Sequence, residues 1–537
     1  MVADYDLLII GGGINGCGIA RDATGRGLKV CLSEMNDLGS ATSASSTKLF
    51  HGGLRYLEYF EFKLVREALL ERENLLRAMP HISWPLRFVL PYHHSMRFDM
   101  STPTSKLLGW LMPWMKGRRP AWLIRFGLFM YDHLGGRKIL PGTTNISLHG
   151  TMEGKGLKSK FKKAFEYSDC WVEDSRLVIL NARDAQRRGA DILTRSKVVS
   201  AGVVDGVWQV KMQNVTTGDK KTVTAKMVVN AGGPWVRDVL RSTLMSNSDA
   251  DVRLVRGSHI VTKKLFDHDK CYFFQGSDGR IIFAIPYETD FTLIGTTDQD
   301  QEDPTVKPEC TPEERDYLIE FINEYLAVPI RVEDIAWSFS GVRPLFNDGA
   351  SSASAATRDY VLKLEESLGA ASLNVFGGKI TTYRCLAETA LDEIQKVLSI
   401  SGKPWTAGVP LPGGDFDVTE VDKLVADARN TFSFLTERWA RRLVRAYGTE
   451  VSDVLGEAKN LSSLGKHFGA DLYQVEVEWL MKNEYAQCSE DVLWRRTKIG
   501  LRLKDQQISV LDDWIKEQHI SQRISDLKFS KSSIVAE

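Results

Sequence analysis

The segment from residue 5 to residue 34 constrains this chain most. Apolar Leu7-Leu8-Ile9-Ile10 runs into Gly11-Gly12-Gly13-Ile14-Asn15-Gly16, then a helical stretch, then Lys29-Val30-Cys31-Leu32-Ser33-Glu34. Gly11, Gly13 and Gly16 stand where glycine permits a tight turn, a close approach of backbone to pyrophosphate, and close packing of helix on strand. A helix starting there directs its unpaired N–H groups and the positive end of its dipole at phosphate. Glu34 follows Gly11 by 23 residues and closes the second strand, where a carboxylate can accept both ribose hydroxyls. A glycine loop that merely turned the chain would not need that acid, so the segment reads as a nucleotide site. It leaves open whether the nucleotide is NAD or FAD.

At 537 residues the chain has room for about two or three domains. Lys and Arg number 69, as do Asp and Glu, so the formal charge is zero. That balance speaks against nucleic acid and sends the search for charged partners to local patches. Seven scattered cysteines, with no Cys-x-x-Cys pair, suit a reducing compartment and neither a disulfide framework nor a zinc site. His93 and His94 are adjacent, but no further ligand stands at metal spacing, so no metal is expected. The first strand begins about five residues in, leaving no room for a signal or transit peptide. No apolar run reaches the roughly 18 residues of a membrane span. A cytosol-facing chain without a transmembrane helix is expected.

Along the chain, hydroxyl-rich Gly39–Thr47 follows the first unit, and a helix is predicted over 62–79, closed by Pro80. Residues 187–211 alternate around Asp205-Gly206, a hairpin signal. The apolar strand Met227–Asn230 halts at Ala231-Gly232-Gly233-Pro234. Residues 252–300 read as several strands, and Thr311-Pro312-Glu313-Glu314 opens a helix over 312–328. A further strand precedes Phe376-Gly377-Gly378-Lys379, and a helix runs on from Thr382. The pattern predicts an α/β chain. Its dinucleotide domain is assembled from 1–90, 165–250 and 340–400, and a β-rich substrate or cap domain from 91–164 and 251–339. A linker over 401–415 leads to a C-terminal helical domain, 416–537, with no strand-like runs.

Several runs resemble one family. Ile10–Asp22 with Arg26-Gly27, and Gly377–Ala387, are similar to the two signatures of FAD-dependent glycerol-3-phosphate dehydrogenases. Lys48–Glu58, Glu166–Trp171, Gly257-Ser258-His259-Ile260, Ser340-Gly341-Val342-Arg343-Pro344, Thr357-Arg358-Asp359-Tyr360 and Leu493–Lys498 resemble it too, so the likeness spans nearly the whole chain. The resemblance implies a glutathione-reductase-type FAD-binding domain with a β-rich substrate domain and a C-terminal α-helical domain. It also implies FAD as cofactor. The reaction implied is sn-glycerol 3-phosphate to dihydroxyacetone phosphate, with hydride passing to flavin N5 and electrons to a membrane quinone. An oxidase using oxygen, or an amine or amino-acid oxidase-like enzyme, is the alternative. A bacterial protein held peripherally on the cytoplasmic face of the inner membrane, as a homodimer, is the expected setting.

A phosphate dianion calls for guanidinium forks and ammonium groups. Arg55, Arg343, Arg358 and Lys379 each lie inside one of these motifs. Arg55 and Arg358, with Tyr56 as hydroxyl donor, are assigned to the phosphate, and Arg343 to the C2 oxygen, where fixed positive charge favours a developing alkoxide. His259 is the expected proton acceptor, with His51 as rival. Lys379 can serve flavin and substrate together. The expected cofactor contacts are Gly11, Gly12, Gly13, Ile14, Asn15, Gly16, Glu34, Ser43, Ser46, Lys48, Ala231, Gly232, Gly378 and Lys379.

One stretch departs from the family pattern. From Met100 to Tyr131 there is no acidic residue, against Lys106, Lys116, Arg118, Arg119 and Arg125, and Trp110, Trp114 and Trp122 are interleaved with Leu and Met. Segment 104–126 therefore reads as lying in a lipid interface facing anionic headgroups. A helix packed on the core would use the same apolar residues.

Overall fold

The computed structural model describes residues 2–93, 103–104, 110, 120–136, 138–276, 280–347, 359–367 and 369–534. It divides into two units, Met1–Leu411 and Pro412–Glu537.

The first unit holds two sheets. In one, strands Val361–Ser367, Ala370–Phe376, Lys220–Asn230, Tyr5–Ile10, Val30–Ser33 and Asp191–Leu193 lie side by side, and the hairpin Ser196–Val204/Val207–Asn214 extends it. The five strands from Ala370–Phe376 to Asp191–Leu193 are parallel. The Leu7-Leu8-Ile9-Ile10 run of the central strand suits burial on both faces. The hairpin turns at Asp205 and Gly206, whose φ angles of +52° and +74° fit the twist of a two-residue loop.

The helix Ile14–Gly25 packs closely on a neighbouring helix because its contact residue there is small. A Cβ on Gly18 would stand 2.9 Å from the Tyr383 ring, on the neighbouring helix Tyr383–Ile394. On its other flank Arg21 Nε donates to Asp184 Oδ2 at 2.6 Å, with both side chains buried, tying it to the helix Asp174–Arg187.

The second sheet has ten strands, built around Val252–Lys263, which pairs antiparallel with Phe291–Gly295 and with Ile335–Phe346. The helix Pro312–Asn323 covers one face, burying Leu318, Phe321 and Ile322 against Ile260, Phe274 and Ile282. Its start is a capping box: Glu314 N–H donates to Thr311 Oγ1, and Thr311 N–H to Glu314 Oε2.

Two boundaries differ from expectation. Ser83–Tyr92 and Lys163–Val172 pair antiparallel over their full length within the second sheet, together with Leu49–Phe50, although the sequence placed most of these residues with the dinucleotide part. The cause is their long complementary registry, from Ser83↔Val172 to Tyr92↔Lys163. The expected linker is likewise not free over its first part. Trp405 Nε1 donates to Asp22 O at 3.2 Å, its ring lies under Arg21 and Arg188, and Leu411 N–H donates to Ala78 O.

The second unit is helical around Trp439, Leu443, Tyr447, Val477 and Leu480. Arg442 donates to Glu476 and Asp471 at 2.7 and 2.9 Å, and Tyr447 Oη donates to Glu476 Oε1 at 2.7 Å. A small hairpin, His467–Gly469 with Leu472–Tyr473, corrects the expectation of a strand-free region. Strands this short leave no alternating pattern to read.

Candidate active site

Ile10, Ser33 and Asn230 end three neighbouring parallel strands in register. The chain therefore leaves the sheet together at Gly11, Glu34 and Ala231, the crevice where open α/β sheets bind ligands. A cavity of about 1010 Å³ opens there. Gly11 has φ +111°, and a Cβ on it would lie 2.8 Å from the Ala231 carbonyl carbon, so only glycine makes this turn. Gly12 N–H donates to Glu34 Oε2 and Asn36 N–H to Oε1, each at 2.7 Å. Burial pushes the Glu34 pKa up, against these two amides, which favour the charged form. Asn15 Nδ2 donates to Gly377 O at 3.1 Å and stitches the two glycine loops together.

Among the expected cofactor residues, Gly11, Gly13, Ile14, Asn15, Glu34, Ser43, Ser46, Ala231, Gly232, Gly378 and Lys379 line the cavity. Gly12 and Gly16 do not. A Cβ on Gly12 would meet Glu34 and Leu38, and one on Gly16 would overlap the Gly11 carbonyl, so both serve packing. Lys48 is a correction. Its buried ammonium donates to both Asp174 oxygens at 2.8 Å and to Ala44 O at 3.2 Å, which makes it a strut holding the hydroxyl-rich loop. Ser46 Oγ donates to the same carboxylate at 2.8 Å, and Ser43 Oγ accepts Ile14 N–H at 3.0 Å.

The same cavity reaches the second sheet, where His259 and Arg343 line it. Both occupy room left by glycine. A Cβ on Gly257 would lie 2.9 Å from Arg343 Cζ, and one on Gly295 would lie 2.7 Å from His259 Cγ. Arg343 Nη1 is paired with Asp298, and Nη2 donates to Thr296 Oγ1 at 3.1 Å. His259 stacks on Phe339 with ring centroids 4.8 Å apart, and its Nε2 meets Thr47 Oγ1 at 3.1 Å. Its Nδ1 is buried without a hydrogen-bond partner among the described residues. Burial, then the charges of Arg343 and Lys48, hold the His259 pKa well below the ordinary imidazole value, so the ring is neutral at neutral pH.

The turn Leu54–Tyr59 presents Tyr56, and Lys379 Nζ lies 3.8 Å from the centre of its ring. Both residues line the cavity, as does His51. Arg55, half-buried in the same turn, is not part of the lining. Arg358 lies outside the described residues, as does most of 104–126.

Sequence reasoning missed Thr47, Phe339, Thr296 and Asp298, which hold His259 and Arg343 in place. Thr47 was visible as the last hydroxyl of the Gly39–Thr47 loop. Asp298 carries no motif, and its role arises only where strand ends meet.

Comparison with known proteins agrees with this geometry. Residues 6–384 match the profile of FAD dependent oxidoreductases, and residues 404–517 the C-terminal domain of alpha-glycerophosphate oxidase. An aerobic glycerol-3-phosphate dehydrogenase of Escherichia coli is 42% identical over 97% of this chain and 99% of its own. The chain belongs to the FAD-dependent glycerol-3-phosphate dehydrogenase family. A D-erythritol 1-phosphate dehydrogenase of Brucella abortus is 47% identical over 96% of this chain and 98% of its own. The solved glycerol-3-phosphate dehydrogenase of Bacillus halodurans, complexed with FAD, superposes with a TM-score of 0.70 at 26% identity, covering 97% of this chain and 91% of its own.

The family's cofactor is FAD, and the cavity suits it. Bare backbone at Gly11 and Gly13 faces the space at a helix N-terminus, where diphosphate binds well. The dehydrogenase fold expected from sequence, a FAD-binding part with a β-rich part and a helical C-terminal part, is the fold observed.

Proposed function

We propose that this enzyme oxidises sn-glycerol 3-phosphate to dihydroxyacetone phosphate and passes the electrons to a membrane quinone. One observation carries the reading: His259, Arg343, Tyr56 and Lys379 converge in the cavity that also holds the dinucleotide turn. FAD, when bound, supplies the two-electron acceptor chemistry. Gly11, Gly13 and Ile14 would hold its diphosphate, Glu34 its ribose, and Ser43, Ser46, Ala231 and Gly232 would line the rest of its path. Gly378 and Lys379 would contact its flavin ring.

Tyr56, Lys379 and Arg358 bind the substrate phosphate, whose two charges reward charge-assisted bonds of about 1.5–3 kcal/mol each. Arg343, fixed by Asp298 and Thr296, holds positive charge at the C2 oxygen. Neutral His259, oriented by Thr47, takes the hydroxyl proton. Arg55 stays outside this set because it does not line the cavity.

The Brucella relative supports a second substrate, D-erythritol 1-phosphate, one carbon longer with the same phosphate and a neighbouring secondary alcohol. Steady-state kinetics decides between them. A kcat/KM higher for sn-glycerol 3-phosphate supports the first reading, and a preference for the tetritol phosphate assigns the second.

No helix among the described residues is long and apolar enough to cross a membrane. The helix Ala121–Leu134, however, exposes Trp122, Phe126 and Phe129 at a spacing that puts them on one side. This face supports peripheral attachment to anionic lipid. Cosedimentation with phosphatidylglycerol vesicles, abolished by replacing the three aromatics with Ser, is the expected result. Rapid reoxidation by air without quinone would instead support the oxidase reading.

A further inference from the structure

The helix Ala121–Leu134 carries on its buried side a residue that reaches the candidate site through the backbone. Tyr131 is 1% exposed, and its Oη is the near acceptor of the Gly52 N–H at 2.7 Å, with Asp169 Oδ1 a distant second acceptor at 3.4 Å. The same hydroxyl donates to the Asp169 carboxylate, with its oxygens 2.8 and 2.9 Å away. Burial, with the Asp169 charge beside it, keeps the Tyr131 phenol protonated and able to donate. Arg72 Nη1 closes the cluster, 2.5 Å from Asp169 Oδ1 and 2.8 Å from Ser168 O.

Gly52 stands between two cavity residues of the site, His51 directly before it and Tyr56 four residues on. Gly52 must be bare to reach the phenol, since a Cβ there would lie 2.8 Å from Tyr131 Oη. Gly53 follows with φ +72°, and a Cβ on it would overlap the Tyr56 ring. Tyr56 N–H donates to Gly53 O at 2.8 Å, which closes the turn, and the Tyr56 ring carries the Lys379 ammonium at 3.8 Å. Each link is short and sterically fixed, from Asp169 through Tyr131, Gly52 and Gly53 to Tyr56 and Lys379.

We infer that Tyr131 is a positioning residue for substrate binding: its hydroxyl pins Gly52 and so sets where the Tyr56–Lys379 pair meets the substrate phosphate. The inference rests on the proposed polyol-phosphate reading for its kinetic arm only. Tyr131 touches neither substrate nor cofactor. It acts through the loop, which predicts a loss in binding rather than in turnover.

The test uses the full-length, FAD-loaded enzyme and its Tyr131→Phe variant. The KM for sn-glycerol 3-phosphate should rise about tenfold, the cost of one buried hydrogen bond, with kcat within about twofold. Amide hydrogen exchange across residues 51–60 should quicken about tenfold in the same variant. A lowered Tm with unchanged KM and unchanged exchange would make Tyr131 a plain strut and overturn the inference. If no polyol phosphate reduces the wild-type flavin, the functional reading fails, and exchange across 51–60 alone decides. Unchanged exchange then refutes the positioning role, and quickened exchange upholds it. Should the variant not yield loaded enzyme, the wild type carries the test. Its Gly52 amide should exchange at least about a hundredfold slower than an unprotected amide, and free exchange would refute the link.

Discussion

His259 and Gly295 face each other across an antiparallel strand pair, and the imidazole lies where any side chain at 295 would have to go. A Cβ at 295 would stand 2.7 Å from His259 Cγ and 2.8 Å from Nε2. Gly295→Ala should therefore push the ring off Phe339 and away from Thr47. A displacement near 1 Å at a reacting group costs about a hundredfold in rate. Steady-state kinetics should show that order of loss in kcat, with FAD content unchanged.

The pH dependence follows from the same ring. An ordinary histidine titrates near 6.5, whereas burial and the neighbouring charges hold His259 neutral well below that. As a proton acceptor it thus stays competent in mild acid, and kcat at saturating substrate, which the titration of the free substrate phosphate near pH 6 does not enter, should run level from about pH 8 to about pH 6, with no inflection near 6.5. Stability has the opposite sensitivity. Below about pH 6.5 the unfolded chain binds a proton at this position that the native state refuses, so stability is full above that value and falls as pH drops. Thermal melts of wild type should decline in that acid range more steeply than those of His259→Asn. Parallel declines would remove the depressed pKa from the account.

Arg343 and its holder should separate in kinetics. Arg343→Ala removes the charge at the C2 oxygen and should lower kcat by about a hundredfold or more, with a smaller change in KM. Asp298→Ala leaves the guanidinium but frees Nη1, so a loss of about tenfold is expected. A larger loss for Asp298→Ala than for Arg343→Ala would contradict this division.

Glu34→Gln keeps the shape of the side chain but turns an amide NH2 toward one of the two N–H groups it now accepts. One buried donor is left unpaired, at a cost of about 1–3 kcal/mol. Flavin fluorescence during dialysis should show FAD affinity weakened at least about tenfold, with secondary structure intact.

The dinucleotide half of the site is legible in sequence because its geometry is local. The Gly11 turn forces glycine within a few residues, and the Glu34 carboxylate returns to Gly12 N–H over a short strand. The substrate half is legible only as residue types. Gly295 reaches His259 through sheet registry, and Asp298 meets Arg343 across 45 residues, distances no spacing rule spans. Lys48 misled for the same reason: a lysine in a motif loop reads as a cofactor cation until Asp174, 126 residues on, is seen to neutralise it.

The most direct test of the central claim is optical. Purified FAD-loaded enzyme is mixed anaerobically with sn-glycerol 3-phosphate, and the visible flavin absorbance is followed before a quinone analogue is added. The flavin should bleach on substrate and recover on quinone. A flavin that stays oxidised with sn-glycerol 3-phosphate would contradict that claim.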